Sequence, residues 1–314
     1  MDALDEFRSL VLRHAPGDSR PPILEGVNIA ASPSPSRPTA SFAYPSFTVV
    51  GGGVKRTLLN GVPYDYRAGQ YLVVSVELPV TGHILEASSS EPFVAFSMRL
   101  NPPEIAALLL EAPPLRTTQR PFLGLTVSDT GLELLDSIVR LLRLLDDRGD
   151  AGVLAPMYQR EILWRLITGE QGGAVRQIGL ADGRLSQVSR ATRWIRDHFA
   201  APLRIDELAA IASMSPSSLH RHFRAVTSMT PIQFQKQIRL QEARNHLLTD
   251  AQSVAEISYL VGYASVSQFN REYRRMYGLT PTADMGRGTG SDTAKGLGSD
   301  LGRFDPGDAP AIDL

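Results

Sequence analysis

No cysteine occurs among the 314 residues, which removes disulfides, thiolate nucleophiles and cysteine-based zinc sites together and fits a reducing compartment. No run of eighteen or more apolar residues occurs either, so no membrane span is expected. The start, MDALDEFRSLVLRHAPGDSR, lacks the basic-then-apolar order of a secretory signal. Together these gaps predict a cytoplasmic protein. Histidine is scarce where a metal enzyme would need it. Residues 41–130 hold His83 with no second imidazole nearby, so a satisfied surface or pocket histidine is the simpler reading. No catalytic residue, metal or cofactor is expected.

Net charge is also small, at −1, but it is unevenly spread. Residues 185–282 hold twelve Lys and Arg against seven Asp and Glu, with four of the six histidines. A locally basic segment in a near-neutral chain points to an anionic partner for that segment alone. Hydrophobic content of 43% is ordinary for a globular protein, and the length suggests two domains plus ends.

The most informative feature inside the basic segment is a repeat. SSLHRHFRAVTSMTP at 217–231 returns as SQFNREYRRMYGLTP at 267–281. Leu219, Phe223 and Val226 are spaced i, i+4, i+7 and predict one apolar helical stripe, as do Phe269, Tyr273 and Met276. Ser217, Arg221 and Arg224 fall on the other side of the first helix, with His220 at their edge. Ser267, Arg271 and Arg274 do the same in the second, with Asn270 at the edge. A shorter helix precedes each, DELAAIASM and VAEISYLVG, and PIQFQKQIRLQEARNHLLTD connects the two units. A short helix, a tight turn and a helix with an apolar back and basic front is the helix-turn-helix arrangement.

Over nearly 100 residues this order resembles the double helix-turn-helix DNA-binding domain of the AraC/XylS family. The resemblance implies double-stranded DNA as partner. It places Ser217, His220, Arg221, Ser267, Gln268, Asn270 and Arg271 at base edges, and Arg224, Arg274 and Arg275 at phosphates. One departure is Ser228, where the family usually carries the glycine that Gly278 keeps in the second unit. The lack of cysteine sets aside repair relatives of the Ada type.

Upstream the pattern is β. FTVV, then YLVVSVEL at 71–78 and PFVAFSMRL at 92–100, are β-branched and aromatic runs bounded by turn residues, and they predict a small antiparallel sandwich or barrel. RAGQYLVVSVELPVTGHILEASSSEPFVAFSMRL resembles the amino-terminal sensor domain of one branch of AraC-type regulators, which implies a cupin-like β-barrel and a small-molecule effector. A helix pair follows. GLELLDSIVRLLRLLDD carries a broad leucine stripe, and a second helix with Pro156 near its first turn runs to Thr168. In the resembled family such helices commonly make a homodimer, and contact with RNA polymerase is implied too. Arg116 and Arg120 in LRTTQRP, followed by SDTG, faintly resemble the paired-arginine signature of PilZ-type cyclic-dinucleotide binders; two solvated arginines are the plainer reading. A metal-dependent cupin enzyme fused to a DNA-binding domain is the competing class.

The expectation is therefore an α+β two-domain chain. Residues 1–184 form the cupin-like sensor and dimerisation domain with its helical pair, ending in the glycine-rich ITGEQGGAVRQIGLADG. Residues 185–282 form the all-α double helix-turn-helix, and 283–314 form a disordered Gly/Asp-rich tail.

Overall fold

The computed structural model describes residues 2–15, 24–112, 123–147, 149–180, 183–249 and 252–288; Arg116 and Arg120 lie outside them. Two compact units separate between Ser186 and Gln187.

The first unit opens with α1 (Ala3–His14), whose Phe7, Leu10 and Val11 are buried on one stripe. Then come β1 (Val27–Ser32), β2 (Thr39–Ala43), β3 (Ser46–Gly52), β4 (Val54–Leu59), β5 (Val62–Arg67), β6 (Gln70–Val74), β7 (Leu78–Glu86) and β8 (Phe93–Arg99). After them follow α2 (Pro102–Glu111), β9 (Leu125–Asp129), α3 (Leu132–Arg143), α4 (Ala151–Thr168) and α5 (Gly172–Gly179). The strands form two antiparallel sheets, ordered β1-β8-β3-β6-β9 and β2-β7-β4-β5.

The expected cupin-like barrel is thus a sandwich rather than a closed barrel, because no ladder joins one sheet to the other among the described residues. The change of sheet happens at the glycine run. Register with β8 slips between Val50 and Gly52, and Gly53, at φ +72°, delivers the chain into the second sheet as β4. YLVVSVEL likewise divides. β6 stays in the first sheet, Ser75 turns aside to hydrogen-bond Leu123 and Gly124, and β7 begins in the second. β3 is buried along its whole length because its two faces meet different layers. On the helix side, a methyl group on Gly51 would stand 2.5 Å from the Phe7 ring. The Arg8 guanidinium donates to the Gly51 carbonyl at 3.0 Å, pinning α1 there.

The α3 stripe is buried through Leu134, Leu135, Ile138, Leu141 and Leu142, and Arg140 pairs with Glu161 of α4 at 2.6 Å. α4 starts a turn earlier than the proline suggested, so Pro156 sits inside the helix. The glycine-rich stretch read as a boundary contains α5, which packs on α2 so closely that a Cβ on Gly179 would meet Ile105 at 2.7 Å. His83, on β7, neighbours the exposed Arg56–Asp65 pair. Among the described residues no group of three or more His, Asp or Glu could hold a metal.

The second unit is helical: α6 (Arg184–Asp197), α7 (Ile205–Ile211), α8 (Pro216–Thr227), α9 (Pro231–Thr249), α10 (Val254–Leu260), α11 (Val266–Tyr277) and α12 (Pro281–Gly288). The last helix occupies residues expected to begin a disordered tail. Composition misleads there because polar contacts hold it. Asp284 is 3% exposed and accepts from Arg244 Nε at 2.9 Å and from the Tyr273 hydroxyl at 2.7 Å.

Candidate nucleic-acid interface

α8 and α11 are built alike. Ser215 caps α8 by accepting from the Ser218 N–H, with Pro216 at the first helical position, and Ser265 caps α11 by accepting from the Gln268 N–H. Leu219, Phe223 and Val226 are buried under α8, where Phe223 meets Phe234 of α9 edge-on at 5.3 Å. Phe269 and Tyr273 are buried under α11 with Met276 packed alongside. With the apolar faces anchored, the opposite faces must point to solvent.

Ser217, His220, Arg221 and Arg224 are exposed on α8; Ser267, Gln268, Arg271, Arg274 and Arg275 are exposed on α11. Asn270 departs from the set, being half-buried with an Oδ1 that has no hydrogen-bond partner. Gln268 reaches Glu272 of its own helix at 3.3 Å. Glu272 also takes an ion pair from Lys236 of α9 and a hydrogen bond from the Tyr263 hydroxyl, both at 2.8 Å. Burial pushes the Glu272 carboxyl up, but the Lys236, Tyr263 and Gln268 hydrogen bonds outweigh it and hold it below the ordinary value. That carboxylate fixes α11 on α9.

Two arginines that the sequence reading passed over organise the turns. Arg190 of α6 donates to the carbonyls of Ile211 and Ala212 at the end of α7, each at 3.3 Å. Arg239 of α9, 49 residues on, donates to the Gly262 carbonyl after α10 at 2.8 Å. The repeat therefore has three helices per unit, α6–α7–α8 and α9–α10–α11, with an arginine on each first helix holding the carbonyl end of the second. Left-handed residues recur in step. Ser213 (φ +53°) answers Gly262 (φ +87°), and Ser228 (φ +59°) answers Gly278 (φ +74°).

Residues 23–174 match the family model described as AraC-type transcriptional regulator N-terminus, and residues 208–287 match one described as a helix-turn-helix domain. This chain belongs to the AraC-type transcriptional regulators. Among curated relatives, the HTH-type transcriptional activator RhaS of Klebsiella pneumoniae is 29% identical over 157 residues, 49% of this chain and 54% of that one. RhaS of Salmonella agona is 30% identical over 151 residues, 47% and 53% of the two chains. The chain thus spans about half the length of the curated relatives it matches. Among solved structures, an apo ToxT variant from Vibrio cholerae superposes over 83% of this chain and 97% of its own with a TM-score of 0.52 at 9% identity, a likeness of fold alone.

The first helix-turn-helix lacks the AraC-type glycine at the end of its second helix. Ser228 closes α8 in the left-handed conformation, its N–H on the Arg224 carbonyl, as Gly278 closes α11 on Arg274. A side chain there costs about 1–2 kcal/mol, partly offset by the backbone freedom a glycine brings to the unfolded chain. Ser228→Gly should therefore stabilise the second unit by about 0.5–1 kcal/mol in urea denaturation. A lower midpoint would show that the serine side chain contributes more than its backbone strain costs.

Proposed function

We propose that the chain is a sequence-specific regulator of transcription, acting on double-stranded DNA in the cytoplasm as a homodimer. In this reading its first unit senses a small molecule and governs DNA binding or dimerisation, and its bound form contacts RNA polymerase. The observation that carries the reading is the pair of exposed basic faces, on two capped helices whose apolar backs are locked to one connecting helix. Two such helices suit successive major grooves about 34 Å apart on one face of the duplex.

Ser217, His220, Arg221, Ser267, Gln268 and Arg271 reach base edges. Arginine reads guanine N7 and O6 bidentately, and serine takes either donor or acceptor. Asn270 belongs to the same group but needs to swing out of its half-buried position first. Arg224, Arg274 and Arg275 grip phosphates, which set register and carry no sequence information.

The division of labour is testable on a selected binding site. Arg221→Ala costs about 1–3 kcal/mol on the preferred sequence and relaxes discrimination at one base pair, whereas Arg224→Ala weakens every sequence alike and lowers the salt slope by about 1. Fluorescence anisotropy against the site and its single-base variants reads both. Equal, sequence-blind losses for the two variants would reject these roles.

A further inference from the structure

Three segments of the second unit converge on the carboxylate of Glu272. Its Oε1 takes Lys236 Nζ of α9 at 2.8 Å, and its Oε2 takes the hydroxyl of Tyr263, from the turn after α10, also at 2.8 Å. Tyr263 is itself fixed, being 6% exposed with its ring edge-on to Phe269 at 5.3 Å. Both oxygens are therefore aimed from outside α11, and the Glu272 side chain is only 17% exposed.

One turn earlier on the same helix stands Gln268, exposed on the face turned to solvent. Its Nε2 donates to Glu272 Oε1 at 3.3 Å, the i, i+4 spacing of neighbours on a helix surface. A carboxylate only accepts, so the amide has to turn its nitrogen, not its oxygen, toward Glu272. The main chain of Gln268 is held as well, by its N–H on the Ser265 cap. An exposed glutamine without such support is rich in rotamers, and ordering it at a binding surface costs affinity. With one N–H on Glu272, the amide keeps its other N–H and its carbonyl oxygen. Those are the donor and acceptor that adenine matches with N7 and the N6 amino group in the major groove. Fifty residues earlier the same two positions hold Ser218 and His222, so α8 carries neither the amide nor the carboxylate.

We propose that Glu272 is a positioning residue for base readout: from its anchored place it sets the orientation of the Gln268 amide, so that α11 demands adenine at one position of its half of the site. The inference rests on the DNA-binding reading and on Gln268 reaching a base edge. It deepens that reading by naming the base and the residue that makes the demand strict.

The test uses the full chain, a selected binding site and its single-base variants, read by fluorescence anisotropy. Gln268→Ala marks the base pair concerned: there the wild type should prefer adenine about tenfold or more, and the variant should lose the preference. Glu272→Met has similar volume and no comparable acceptor. It should cut the preference at that base pair severalfold and leave the ratios at the other base pairs as they were. Added to Gln268→Ala, it should change that ratio no further. Tyr263→Phe leaves the carboxylate and its Lys236 pair but removes one of the hydrogen bonds that aim it. Its ratio should fall at the same base pair by a smaller factor, which decides the matter if Glu272→Met fails to fold. A loss of affinity shared equally by every sequence, as a purely structural role predicts, overturns the inference. So does a favoured base other than adenine, or a Gln268→Ala variant that keeps every base preference. In each of those cases a wild type that still selects its site leaves the regulator reading standing, whereas a wild type that binds no sequence preferentially rejects both.

Discussion

Gly262→Ala should destabilise the helical unit by about 3 kcal/mol or more, among the largest losses available to a single methyl group. Two costs combine. Gly262 sits at φ +87°, where any L side chain is strained by about 1–2 kcal/mol. A Cβ there would also stand 2.2 Å from the Ala200 carbonyl oxygen and 2.8 Å from its Cα, and both are backbone atoms with no rotamer to change. Relief requires the turn after α10 to move away from residues 199–201, and that movement strips the Arg239 hydrogen bond from the Gly262 carbonyl. The two tryptophans, Trp164 and Trp194, fall one in each unit, so a Trp164→Phe background lets fluorescence report the second unit in a urea titration. An unchanged midpoint would mean that the turn is free to shift, against the contact geometry.

Arg239→Met comes next, with an expected loss of about 2–4 kcal/mol. This guanidinium donates to the carbonyls of Phe199 at 2.7 Å, Ala200 at 3.1 Å, Ala201 at 3.0 Å and Gly262 at 2.8 Å. Burial lowers its pKa from the ordinary arginine value, but an arginine so placed stays charged, and its hydrogen bonds are of the stronger, charge-assisted kind. Methionine fills similar volume while taking the guanidinium away from four carbonyls. Gln235, whose amide reaches Phe199 and Ala201, retains two of them. Because Arg239 ties the segment following α6 to the turn before α11, its loss should cut affinity for a full two-groove site more than for half of one. Equal losses on both lengths of DNA, measured beside the stability change, would assign Arg239 to folding alone.

Much of the second unit was legible because its signals are local. Leu219, Phe223 and Val226 declare a buried stripe by spacing, Ser215 and Pro216 declare the helix start, and the recurrence 50 residues later fixes the pairing. Arg190 and Arg239 were not legible, since the residues around them differ between the copies and only the carbonyls they reach reveal a shared task. α12 was hidden for a related reason: PTADMGRG has little apolar content, and Asp284 earns its buried place through Tyr273 and Arg244.

In the first unit the strand-rich region was plain, yet its division into two sheets depends on a bulge and a corner at Gly52 and Gly53 that hydrophobic alternation does not encode. α5 was missed because glycine usually marks a boundary, whereas Gly179 serves close packing on Ile105. The burial of Lys55 gave no sign either. In VKRTLL a buried lysine and a half-buried arginine stand side by side, and only the pleat assigns one inward.

Helix α9 sets the gauge of the molecule. It is nineteen residues long, about 28 Å at 1.5 Å per residue. Adding one residue would lengthen it by about 1.5 Å, under half a base-pair step, while turning everything beyond it by about 100°, close to three base pairs of duplex twist. Translation and phase therefore cannot be adjusted together by changing its length. On DNA bound as proposed, the spacing between the two halves of a recognised site is a fixed dimension of this chain, and new targets are reached by changing side chains on α8 and α11.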